Sequence, residues 1–155
     1  MKLNILYIIV FAFSFLKCNS QIVKNKSTQP IVFNKNTFSE FTPREIKMLN
    51  TVYGGMLKNE ILNRPTRVLA IKEILRNRVE IVKLTDPRHH KPCPMLSEIP
   101  LFNIFNKSLK RDQTFDPLKF NPLKYNFEFH SSDTHLIRVD NSDYFIIVKS
   151  QHYNN

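Results

Sequence analysis

TPREIKMLNTVYGGM, residues 42–56, carries the clearest local signal in the chain. Thr42 can accept from the backbone N–H of Glu45, Glu45 can reach back to the Thr42 N–H, and Pro43 sits where its missing donor costs nothing. Ile46, Leu49, Val52, Tyr53 and Met56 then recur at the spacing of one buried helix face, which predicts an amphipathic helix starting at Thr42. Gly54 and Gly55, the only glycines in the sequence, stand where such a helix should end or bend.

Downstream, Asn63-Arg64-Pro65-Thr66 restarts a helix whose apolar face is Val68, Ile71, Ile74 and Leu75. Residues 78–84, RVEIVKL, form a short β-branched run bounded by Thr85-Asp86-Pro87 and read as a strand. The three prolines in residues 86–94, DPRHHKPCP, forbid regular structure and stiffen a loop. For residues 96–112 the pattern leaves two alternatives open, a short helix after Pro100 or an irregular segment packed on the sheet. A five-residue repeat follows, Asp116-Pro-Leu-Lys-Phe120 and Asn121-Pro-Leu-Lys-Tyr125, which predicts a two-step turn laid over an apolar surface. Tyr125, Phe127 and Phe129 alternate with polar residues as in a strand. Residues 134–139 and 144–149 flank Asp140-Asn141-Ser142-Asp143, a four-residue hairpin connection. The expected fold is α+β, with two N-terminal helices packed on a small, mainly antiparallel sheet that ends in a C-terminal β meander.

The opening stretch points to export rather than to fold. Ile5 to Leu16 is apolar except for Ser14, follows Lys2 and gives way to the polar Lys17-Cys18-Asn19-Ser20-Gln21. That is the order of a signal peptide, and Lys17 cuts the run well short of the roughly 20 apolar residues that span a bilayer. With its cysteine directly after the apolar run, this region resembles the signal of a small bacterial lipoprotein, which implies lipidation of Cys18. Lys17 stands where that signal normally carries a small residue, so cleavage after Ser20 and soluble secretion remain open; an uncleaved anchor is the weakest of the three. The expected organisation is an export signal over 1–20, a flexible basic tether over 21–37, and a single α+β domain over 38–155. The localisation that follows is the cell envelope or the extracellular space.

The chain carries 23 Lys plus Arg against 13 Asp plus Glu. Without Lys2 and Lys17 the excess lies entirely before residue 92, while the remainder is balanced, so an acidic partner would be met by the first half. Four cations of the second helical region, Arg64, Arg67, Lys72 and Arg76, are the candidates for an anionic surface, although they form no continuous stripe. Charge of this size also arises from solubility alone. Nucleic acid is disfavoured, because no recognised nucleic-acid-binding signature is present, and two adjacent glycines cannot make a Gly-rich phosphate loop.

Chemistry, if there is any, centres on His89, His90 and Cys93 beside Asp86. Imidazole and thiolate suit zinc, and His130, His135 and His152 could add ligands. Against this, adjacent histidines in an extended loop point opposite ways and the strong zinc spacings are missing. The expectation is therefore no cofactor, with zinc as the metal these residues would suit. If Cys18 is neither removed nor lipidated, a bridge to Cys93 is open in an oxidising compartment. Asp140 and Asp143 lack the rest of a calcium loop. The aromatic and basic run 115–125, FDPLKFNPLKY, reads as core packing under a turn before it reads as a ligand platform. Asn25 and Asn106 open glycosylation sequons that would matter only in a eukaryotic source.

Together these features predict an exported or lipid-anchored envelope protein, non-enzymatic, that binds a partner or an anionic surface. The alternative is a secreted metal-dependent or cysteine hydrolase using the His89-His90-Cys93 loop. Mass spectrometry of the mature N-terminus should find a lipid-modified Cys18 or a start at Gln21; an intact Met1 would refute export.

Overall fold

The computed structural model describes residues 31–86, 88 and 92–152. The first helix, α1, spans Pro43–Tyr53 and begins as its sequence dictates. Thr42 Oγ1 accepts from Glu45 N at 3.2 Å while Thr42 N donates to Glu45 Oε2 at 2.7 Å, a complete capping box with Pro43 in the first turn. The helix stops at Gly54, whose φ of +51° is a left-handed conformation that a residue with a Cβ adopts only at a cost. A π-helical turn over Lys58–Leu62 leads to α2, Pro65–Glu73, and a second π-helical turn, Ile74–Arg78, carries the chain into strand β1, Val79–Lys83.

The sheet is antiparallel and three-stranded. Strand β2, His135–Arg138, and strand β3, Tyr144–Val148, form the C-terminal hairpin, and β1 pairs with the other edge of β3, in the order β1-β3-β2. Because facing residues of an antiparallel pair share a face, the register Val79↔Val148, Ile81↔Ile146 and Ile137↔Ile146 gathers one apolar surface. Two clusters cover the interior. One joins Leu49, Val52 and Tyr53 of α1 to Ile71 and Ile74; the other joins Phe120, Tyr125 and Phe127 to Ile137, Ile146 and Val148. Val79 and Phe129 pack against both, so helices and sheet share a continuous core in an α+β fold.

Several local expectations meet a different outcome. Within the stretch assigned to the tether, Ile31 and Val32 are exposed and belong to no strand. The stretch assigned to a tether lies mostly outside the described residues, but its end is docked. Lys35–Phe38 is a 3-10 turn, Thr37 is fully buried, and Glu73 accepts from Asn34 N, Asn34 Nδ2, Thr37 Oγ1 and Asn77 Nδ2 at 2.6–3.1 Å. The ordered body therefore begins before Phe38.

Residues 125–129 are not a strand either. Tyr125 makes only an isolated bridge to Leu101, and Glu128 at φ +51° breaks the extended backbone, although Tyr125 and Phe127 are buried as the alternation requires. The repeat does form two matching steps, with Asp116 Oδ1 accepting from Leu118 N at 2.9 Å and Asn121 Oδ1 from Leu123 N at 3.1 Å. Residues 99–112 are irregular rather than helical.

Arg76 binds the N-terminal parts together. Its Nε and Nη2 grip both Glu45 oxygens at 2.6 and 2.8 Å, and the same guanidinium donates to Asn36 O, to Ser39 Oγ at 2.7 Å and to Glu40 O at 2.7 Å. Hydrogen bonding from Arg76 holds the Glu45 carboxyl below its ordinary value of 4.5, against the upward push of burial. Because the folded value is the lower one, the stability Glu45 contributes is present above pH 4.5 and lost as pH falls through that depressed value. Arg76→Ala should cost about 3 kcal/mol in urea unfolding at pH 7 and flatten this acid-side loss; a cost below about 1 kcal/mol would show that the clamp is peripheral.

Candidate functional site

Among the described residues, those singled out for chemistry are spread over separate grooves and form no reactive centre. His89 and His90 lie outside the described residues. Cys93 is half-buried, is unbridged among the described residues, and shares a groove of about 450 Å³ with His135. Yet His135 Nε2 is sealed from solvent and has no hydrogen-bond partner, so this nitrogen is not open to a substrate or metal entering the groove. His130 lines a different cleft. Among the described residues no group of three or more His, Cys, Asp or Glu is placed to hold a metal ion.

The basic set is likewise drawn inward or paired. Arg64 and Arg67 share the carboxylate of Glu60 at 3.4 and 2.6 Å. Lys72 is 5% exposed and its Nζ stands 4.7 Å from the centre of the Phe41 ring. Arg76 is committed to Glu45 and to the chain around Ser39. A helix that rests on a core places the cations flanking its apolar face against neighbouring elements, and here an acid or a ring meets each of them. Lys72 and Arg76 are thus turned into the fold, while Arg64 and Arg67 stay about half exposed and share one carboxylate.

What the fold does build is an apolar cleft of about 670 Å³ between α2 and residues 123–131. Arg67, Ala70, Ile71 and Ile74 line one wall; their spacing of three, four and seven residues puts them on one face of the helix and its continuation. The end wall is a ring trio. Tyr53 lies 5.1 Å from Phe105 and 6.2 Å from Phe102, and the two phenylalanines are 5.9 Å apart and steeply inclined. Leu123, Tyr125 and Phe129 add apolar lining from the segment 123–131, and Asn126, Glu128 and His130 line the cleft beside them.

Polar groups of this cleft are left available. The side chains of Asn126, Glu128 and His130, and the hydroxyl of Tyr53, have no partner within the described structure. Burial pushes the Tyr53 hydroxyl above its ordinary value, with Arg67 and Glu60 acting in opposite senses, so it is a proton donor at neutral pH. An apolar cavity of this size with a few uncommitted polar groups has the character of a small-molecule site. His130 and Ser131 both line it, and no hydrogen bond joins their side chains among the described residues.

Sequence reasoning did not find this cleft. Phe102 and Phe105 belong to the segment whose structure the pattern left open, and the one available signal was an excess of large apolar residues in a stretch with no helical or strand period to bury them. No family model, no curated protein and no solved structure matches the chain.

The unpartnered Nε2 of His135 yields a stability test. Replacing a buried, unsatisfied polar group by an apolar one of similar size removes its desolvation penalty, so His135→Leu should be neutral or more stable by about 1 kcal/mol in urea unfolding. A loss of stability would show that the imidazole has a structural partner.

Proposed function

We propose that this protein is an exported, non-catalytic binding protein, held at the cell envelope through Cys18 or released, which takes a small and mainly apolar molecule into the cleft between α2 and residues 123–131. The observation that carries this reading is the cleft itself: about 670 Å³, walled by Ile71, Ile74, Leu123 and the rings of five Phe and Tyr residues, with unpartnered polar groups beside them. A ligand there exchanges water for apolar contact at about 25 cal/mol per Å² buried, and the available polar groups orient it. The export signal supports the location, since a binding protein outside the cytoplasm meets its ligand without a transport step. Binding of an anionic surface through Arg64, Arg67, Lys72 and Arg76 has less support, because two of these four are turned into the fold.

Ala70 on the helical wall provides the test. The chain has no tryptophan, so Ala70→Trp both fills the cleft and adds a single indole reporter. The wild-type chain should bind the neutral dye N-phenyl-1-naphthylamine saturably at one site, and Ala70→Trp should weaken binding at least tenfold, with blue-shifted indole emission and a cooperative unfolding transition. Absence of saturable binding by the folded wild-type chain would overturn the proposal.

A further inference from the structure

The lining of the cleft includes two opposite charges, Arg67 and Glu128, that are not paired with each other. On the α2 wall, Arg67 Nη1 donates to Glu60 O at 3.1 Å and to Glu60 Oε2 at 2.6 Å, while its Nε and Nη2 have no partner in the described structure. Glu60 answers Arg64 as well, so one carboxylate serves two guanidinium groups and that wall keeps one positive charge. In the segment 123–131 of the lining, Glu128 is exposed, forms no ion pair, and is held in a turn in which its carbonyl accepts from Ser131 N at 2.8 Å. No ion pair joins Arg67 to Glu128 among the described residues.

A purely anionic head group would gain from Arg67 but face Glu128, and a purely cationic one would meet the reverse. A head group that bears both signs satisfies both Arg67 and Glu128, while its apolar body lies along Ile71, Ile74 and the ring trio. The rings add a favourable surface for an ammonium group. We infer that the ligand of this cleft is a zwitterionic amphiphile, one apolar chain or ring system carrying both an anionic and a cationic group; the inference rests on the ligand-binding reading above and specifies its chemistry. The repulsive half of the arrangement matters as much as the attractive half, since each charge discriminates against the single-charge head group it repels.

Three probes with one chain length separate the possibilities: decylphosphocholine, decanoate and decyltrimethylammonium, titrated into the full chain by calorimetry below their micellar concentrations. The zwitterion should bind about fivefold more tightly than either single-charge probe, the scale of one solvent-exposed ion pair. Glu128→Gln, at an exposed position where folding is safe, should cancel the advantage over decanoate and leave decanoate binding no weaker. Arg67→Gln should cancel the advantage over decyltrimethylammonium. Equal affinity for all three probes would overturn the zwitterion while leaving the cleft as a binding site, whereas no binding of any probe would overturn both readings. Binding that weakens as a dimer forms with rising protein concentration, or that appears only after residues 1–20 are removed, would assign the cleft to a second copy or to the chain's own N-terminal stretch and would likewise overturn the inference.

Discussion

The bidentate pair between Glu45 and Arg76 is the constraint on which the N-terminal architecture depends. Glu45 does two things at once: its backbone and one oxygen complete the cap that starts α1, and both oxygens hold Arg76 in the π-helical turn that follows α2. Arg76 in turn gathers residues 36–40. Three separate stretches therefore meet at one guanidinium whose carboxylate partner is nearly buried, where losing one charge leaves the other without compensation. The apolar contacts of Leu49, Val52, Ile71 and Ile74 supply most of the driving force, but they are non-directional. The ion pair fixes how the two helices sit, and hence where the α2 wall of the cleft lies.

A second polar anchor works at the other end of the same helical region. Arg78 is 6% exposed and donates to the carbonyls of Lys149 and Phe129. It joins the π-helical turn to the end of β3 and to the aromatic segment, so the two walls of the cleft are linked through its three donors. The cleft is thus framed by hydrogen-bonded charges and filled by none of them, which is what leaves it apolar.

The parts of this fold that were legible in the sequence are those encoded over four or five neighbouring residues. Thr42 to Glu45 specified a helix start, Gly54 its end, and Asp140 to Asp143 a hairpin, because each depends on backbone groups within reach of one side chain. The alternation of Tyr125, Phe127 and Phe129 signalled burial correctly and strand formation wrongly, since a left-handed Glu128 interrupts the backbone without exposing the rings on either side. Lys72 and Arg76 read as surface cations because their partners, Phe41 and Glu45, lie roughly thirty positions away and become neighbours only after packing. The cleft was invisible for the same reason: it is a space between elements, and Phe102 and Phe105 line it from a segment without period.

Glu73 has one further meaning if the chain is held by its N-terminal end. Any pull along the segment before Asn34 arrives first at the carboxylate that accepts from Asn34, Thr37 and Asn77, and then at the Arg76 grip on Asn36 and Ser39. Several of these bonds load together, so tension is shared before it reaches α1. The docked turn would pass drag on an anchored molecule to Glu73 and Arg76, which belong to the same helical region as Ile71 and Ile74 of the cleft wall.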